Sequence, residues 1–232
     1  GPVPSHRAQA SSSPFFHTDN LLLTIIHYSR QSISILRKIN ITMITIEDET
    51  TATLAARLKR EREIRGWSLG QFADKSGVSK AMISKIERGE ASPTATVLGR
   101  LSGALSLTVS ALLSSASPVH HGVRKQAKQP LWSDPETGYD RRQVLSGQKI
   151  PLELVEVTLP PGKQVTMPAS AYSFIQQAIW VLEATLLFHE GDRVHPLDTG
   201  DSLELGPPQD CIFENKSPEN CRYLVAVVRS SY

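Results

Sequence analysis

The sequence predicts an α+β chain of two domains: an N-terminal bundle of five helices, then a C-terminal antiparallel β-barrel. Three observations predict it. Apolar residues recur at helical spacing up to about Leu113 and at strand spacing from about Leu152 onwards. Capping residues punctuate the first stretch, and Gly/Pro turn pairs punctuate the second. The charge also divides. Residues 53–113 carry ten Lys and Arg against five Asp and Glu, and residues 131–232 carry eight against fourteen. A basic half joined to an acidic half suggests that only the first meets a polyanion.

Length and composition bound the rest. A chain of 232 residues suits two domains of ordinary size. No run of eighteen apolar residues could span a bilayer, and the Leu21–Ile26 stretch lacks the flanks of a signal peptide. Two cysteines, Cys211 and Cys221, are too few for a secreted disulfide scaffold. A cytoplasmic protein with no membrane partner is therefore expected, and no bridge between these two residues.

Residues 1–51 begin Gly1-Pro2, which reads as the scar of a cleaved tag, and continue without caps or a stable period. They are expected to be a disordered leader or a segment of cloning origin, with Met43 a candidate natural start. Residues 52–114 form the helical domain. Leu54, Leu58 and Ile64 set the apolar face of a first helix that ends at Gly66. Ser68 caps a second helix carrying Leu69, Phe72 and Ala73. Gly77-Val78-Ser79 is a tight turn, and Ser79 caps a third helix that ends at Arg88-Gly89. Ser92-Pro93 opens a fourth helix, with proline at the first helical position, and a fifth follows Thr108. Residues 115–130 lack periodicity and read as a linker. In residues 131–232 strands are expected at Leu152–Leu159, Ile179–Phe188, Ser202–Leu205, Cys211–Glu214 and Tyr223–Val228. The turns between them lie at Pro160-Pro161-Gly162, Glu190-Gly191-Asp192, Gly200-Asp201, Pro207-Pro208 and Ser217-Pro218.

The stretch Ser68–Gly89 carries the functional expectation. A helix-turn-helix needs a small residue where its helices approach (Ala73), a glycine opening the turn (Gly77) and an apolar residue closing it (Val78). Its second helix must bury one stripe, here Ile83 and Ile86, and leave the other free for the major groove. Together with the run Ile86-Glu87-Arg88-Gly89-Glu90-x-Ser92-Pro93-Thr94, this stretch resembles the phage-repressor-type (XRE) helix-turn-helix family across all five helices. By position, the resemblance implies that Lys80, Ala81 and Lys85 face DNA bases, with Ser79 and Ser84 beside them. Lysines suit guanine acceptors, and a small residue suits the thymine methyl. Ser68, at a helix start, would meet a phosphate. The resemblance also pairs Arg62 with Glu87, joining helices one and three.

Gly200, then Gly206-Pro207-Pro208, Cys211 and Asn215 have the spacing of the second motif of the cupin (jelly-roll) family, which residues 131–232 resemble. In metal-binding cupins the ligand positions would fall on Pro168, Ser170, Gln177 and Cys211. These are not a ligand set for a divalent ion, so neither metal, cofactor nor catalytic residue is expected. If Gln177 and Cys211 point inward, alternation sends Ile179, Val181 and Phe213 inward too. This gives a mostly apolar effector pocket with Ser170, Gln177 and Cys211 as polar handles. The alternative is a filled core in which the barrel serves only as a dimer platform. The resulting expectation is a homodimeric, non-enzymatic transcription regulator that binds a palindromic operator in double-stranded DNA and a small-molecule effector. A metal-dependent cupin enzyme with a helical appendage and an effector-free repressor are the rivals.

Overall fold

A computed structural model of the chain describes residues 50–114, 122–146 and 150–229. The expectation for the leader, apart from residues 50 and 51, lies outside these residues, as does the first part of the linker. Residues 50 and 51 already belong to the first helix, α1, described over 50–64. Four more helices follow: α2 (Leu69–Ser76), α3 (Lys80–Glu87), α4 (Ala95–Leu105) and α5 (Val109–Leu113).

Each helix start has its own cause. Ser68, Ser79, Thr94 and Thr108 accept from the backbone N–H three residues on, which satisfies a donor the helix cannot. Gly77 ends α2 in the left-handed region at φ 66°, where a Cβ would be strained, and its N–H returns to Ala73 O. Leu54, Leu58, Phe72, Ile83, Ile86, Leu98, Leu101 and Leu105 fill the bundle core, all at most 1% exposed. Ile64 does not join them: it is 66% exposed. The buried side of α1 runs through positions 54, 58 and 61, and Ile64 falls about a quarter of a turn off that line. Glu61 is buried instead, held by Arg57 at 2.9 Å and Arg65 at 2.6 Å.

A 3₁₀ turn at Gln126–Lys128 leads into ten strands. These are β1 (Leu131–Ser133), β2 (Asp140–Ser146), β3 (Leu152–Leu159), β4 (Gln164–Met167), β5 (Ile175–Glu183), β6 (Leu186–Glu190), β7 (Arg193–Leu197), β8 (Ser202–Glu204), β9 (Cys211–Glu214) and β10 (Cys221–Arg229). All pairings are antiparallel.

The sheet is not closed into a barrel, which corrects the expected fold class. The strands form one six-stranded sheet, β1-β2-β3-β10-β5-β8, and one four-stranded sheet, β4-β9-β6-β7. No ladder among the described residues joins the two. The corners explain why. Pro160 and Pro161 separate β3 from β4, and Pro207 and Pro208 separate β8 from β9, where a missing N–H cannot extend a ladder. The strand expected over Ile179–Phe188 is two strands in different sheets, broken at Ala184, which sits at φ 61°. Asn215 secures another corner. Its Nδ2 donates to Leu159 O and Glu219 O, both at 2.8 Å, and its Oδ1 accepts from Ser217 N at 2.9 Å.

The helical bundle packs directly on the sheets. A 3₁₀ turn at Ala169–Ala171 lies against α4, where glycines allow the approach: a Cβ on Gly103 would meet Ser170 Oγ at 2.6 Å and its carbonyl carbon at 2.8 Å. Asp134, in the β1–β2 turn, accepts from Ala95 N at 2.6 Å, placing a carboxylate at the positive end of α4. Thr108 donates to the buried Glu153 of β3 at 3.0 Å.

Candidate nucleic-acid interface

The second and third helices are held as a unit. Ser68 and Gln71 form a reciprocal capping box, Gln71 N to Ser68 Oγ at 3.1 Å and Ser68 N to Gln71 Oε1 at 2.8 Å. In the turn, Ser76 Oγ donates to Phe72 O and accepts from Val78 N, while Arg100 of α4 reaches Gly77 O at 3.4 Å. Arg62 grips Glu87 with two charged hydrogen bonds of 2.7 and 2.8 Å, which tie α1 to the end of α3. The Glu87 hydrogen bond is the main reason the Arg62 guanidinium binds its proton more tightly than usual.

With Ile83 and Ile86 buried, α3 leaves its opposite side open. Lys80, Ala81 and Lys85 are exposed, as is Ser79 at the cap, whose hydroxyl already accepts from Met82 N at 3.2 Å. Ser68 is exposed as well. Ser84 is only partly exposed, and Arg88 donates to its hydroxyl, so it faces the end of its own helix. Arg88 also pairs with Glu90 at 2.6 Å, and this exposed pair lowers the Glu90 carboxyl below its ordinary range. Met82 is 37% exposed, one turn from Lys85. Sequence reasoning assigns a helical methionine to a core, so no signal marked it.

The residues proposed as an effector pocket do not share one cavity. Gln177 and Phe213 line a space beneath α5, and Gln177 and Cys211 line a second cleft beside Pro207 and Pro208. Ile179 and Val181 are 0% exposed within the packed core. Ser170 is exposed and lies against α4. Cys211 and Cys221 are free and buried, and burial pushes both thiols up to about 11. A hydrogen bond from Tyr172 only partly offsets this for Cys211. Sequence reasoning missed Arg141 and Tyr172, which border the space beneath α5. Arg141 lies in β2, whose polar run Asp140-Arg141-Arg142-Gln143 hides the alternation of a strand. His189 bonds Glu214 at 2.9 Å, and no three His, Cys, Asp or Glu side chains among the described residues gather as a metal site.

Comparison with known proteins finds relatives of the helical part of the chain. The helix-turn-helix family model HTH_3 matches residues 58–112. The HTH-type transcriptional regulator SutR of Escherichia coli is 42% identical over 77 residues, and SinR of Bacillus subtilis is 36% identical over 61. The SutR match covers 32% of this chain and 43% of SutR; the SinR match covers 26% and 55%. This chain thus spans about half the length of these relatives. The crystal structure of an HTH_3-family transcriptional regulator from Vibrio cholerae is 25% identical with a TM-score of 0.66, covering 79% of this chain and 99% of that one. The chain carries an N-terminal helix-turn-helix domain homologous to those of transcriptional regulators. Such a domain implies a capability to bind DNA. No described helix is long and apolar enough to cross a membrane.

Proposed function

We propose that the chain is a non-enzymatic, sequence-specific transcription regulator that inserts α3 into the major groove of a palindromic operator. The observation that carries this reading is the free face of α3. Lys80, Ala81 and Lys85 are exposed there on a helix whose other side is locked by Ile83, Ile86 and the Arg62–Glu87 pair. In this reading the lysines read guanine edges, Ala81 admits a thymine methyl, and Met82 adds an apolar contact. Ser68 and Ser79 meet phosphates, with Ser84 a neighbour of the reading surface rather than a reader. Homology of the helix-turn-helix domain to transcriptional regulators supports a non-enzymatic role.

One recognition helix reads only a few base pairs, so two copies are needed to specify a site. The outer face of the six-stranded sheet supports a homodimer. Cross-strand rows Trp180–Leu224 and Ala178–Ala226–Leu154 present contiguous apolar side chains, with Trp180 50% exposed. A patch of this kind on a regulator fits a second copy of the same chain. The sheets also supply cavities for a small-molecule effector, and the α4 contacts with Met167 and Ser170 would carry its effect to the DNA-binding helices.

Selection of bound duplexes from a randomised pool, at physiological salt, tests the reading. The expected product is a two-fold sequence with half-sites about 10 base pairs apart, bound by two chains. A pool that stays random after selection contradicts it.

A further inference from the structure

The cleft beneath α5 spans about 470 Å³ of space between atoms, with the solvent at its open mouth included. Val109 of α5 forms its roof and Val225 and Val227 of β10 an apolar wall, so both halves of the chain build it. Five residues with polar side chains border it, Thr108, Tyr139, Arg141, Tyr172 and Gln177, of which Arg141 alone is a cation. Arg141 is half-buried, yet among the described residues no carboxylate pairs with it; its Nη2 donates to Ser110 Oγ at 3.1 Å. Its neighbour Arg142, on the other face of the strand, has Glu156 at 3.8 Å. A half-desolvated guanidinium without a counter-charge is a costly arrangement unless an anion completes it. Tyr223, on the same face of β10 as the two valines, is fully buried, and its hydroxyl has no hydrogen-bond partner.

These features select a ligand class. A planar guanidinium matches a carboxylate in a two-pronged contact. One cation at the wall suits one negative charge, and the valines suit a short apolar body rather than a second polar end. We infer that the cavity beneath α5 binds a compact monocarboxylate, its carboxylate on Arg141 and its short apolar tail against Val225 and Val227. The inference rests on the effector-binding reading above and names the ligand chemistry and its anchor.

The test uses the full chain. Thermal unfolding and titration calorimetry are run with sodium acetate, propionate, butyrate and hexanoate at constant ionic strength, with butyramide as the neutral match for butyrate. The expected result is a rise in unfolding midpoint with butyrate and none with butyramide. In Arg141→Gln the carboxylate should bind about ten- to a hundredfold more weakly, as befits loss of a charged hydrogen bond. No effect from any of the four acids, equal effects of butyrate and butyramide, or unchanged binding in a folded Arg141→Gln would each overturn the inference. If Arg141→Gln does not fold, the butyrate–butyramide comparison on the unaltered chain decides alone. The same preparations are assayed on the selected duplex. Specific DNA binding without carboxylate binding removes this inference alone, whereas loss of specific DNA binding removes the regulator reading.

Discussion

Arg62 and Glu87 are the residues on which the pose of α3 depends, because their two charged hydrogen bonds span 25 positions of sequence. Glu87→Ala leaves the partly buried guanidinium with Trp67 O at 2.9 Å and the exposed Glu63 at 3.7 Å, but without its two short charged hydrogen bonds. It should lower stability by about 1.5–3 kcal/mol in urea unfolding, and Arg62→Met combined with Glu87→Leu should recover much of that loss. Lys85 has no such structural duty: it is exposed and makes no ion pair among the described residues. Lys85→Ala should leave the unfolding midpoint unchanged while weakening binding to the selected duplex and relaxing one base position, by about 1–3 kcal/mol. Equal loss on selected and random duplexes would remove Lys85 from base reading. Cys221 supplies a pH prediction. Burial raises its thiol to about 11, so the unfolded chain loses that proton at lower pH than the folded one. Its contribution is full below the ordinary thiol value and is lost as pH rises towards 11. Cys221→Val should therefore show a shallower fall in stability across this alkaline range than the unaltered chain.

At the scale of elements, α4 is the joint between the two halves. Gly103→Ala places a Cβ 2.6–2.8 Å from the side chain and backbone of Ser170, so the contact must open. That costs about 1–3 kcal/mol, against about 1 kcal/mol gained in helix propensity. The same change at Gly70, whose Cβ would meet only Ser68 Oγ at 3.7 Å, has no such opposition. Thermal unfolding should thus fall for Gly103→Ala and hold or rise for Gly70→Ala. Two helix starts were legible because caps and apolar spacing coincide: α2 and α3 begin after Ser68 and Ser79, as read, whereas α4 begins at Ala95 after Thr94 and not at Ser92-Pro93. The β3 and β9 bounds were legible for the same reason, since alternation is clean in Leu152–Leu159 and Cys211–Glu214. Where inward positions are polar, as in β2, or prolines stand in an edge strand, as Pro196 does in β7, alternation carried no signal. Ala184 in the left-handed region could not be foreseen from an alanine, and it stands between β5 and β6, which lie in different sheets.

At the scale of the molecule, the two-sheet arrangement divides the candidate pocket residues: Gln177 and Phe213 border one space, Gln177 and Cys211 another. Ile179, Val181 and Phe213 are buried. In a two-sheet sandwich such side chains fill the middle of the interior, and the space bordered by Gln177 and Phe213 lies towards one of the ends. The helices cover one of those ends, a contact between distant segments that no local pattern encodes. The apolar outer sheet face makes a further prediction. Trp180→Lys should convert a dimer to a monomer in sedimentation at micromolar concentration, with the fold intact by circular dichroism. It should weaken operator binding while sparing single half-sites. A dimer that survives this charge moves the interface elsewhere.

The central claim, that the open face of α3 reads DNA sequence, is tested most directly by one comparison. Binding of the unaltered chain and of a Lys80→Ala/Lys85→Ala variant is measured on the selected duplex and on a random duplex, at fixed physiological salt. The account predicts that the unaltered chain prefers the selected duplex by about a thousandfold or more, and that the variant loses most of this preference while remaining folded. A variant that keeps the full preference would contradict it, because the sequence would then be read by some other surface.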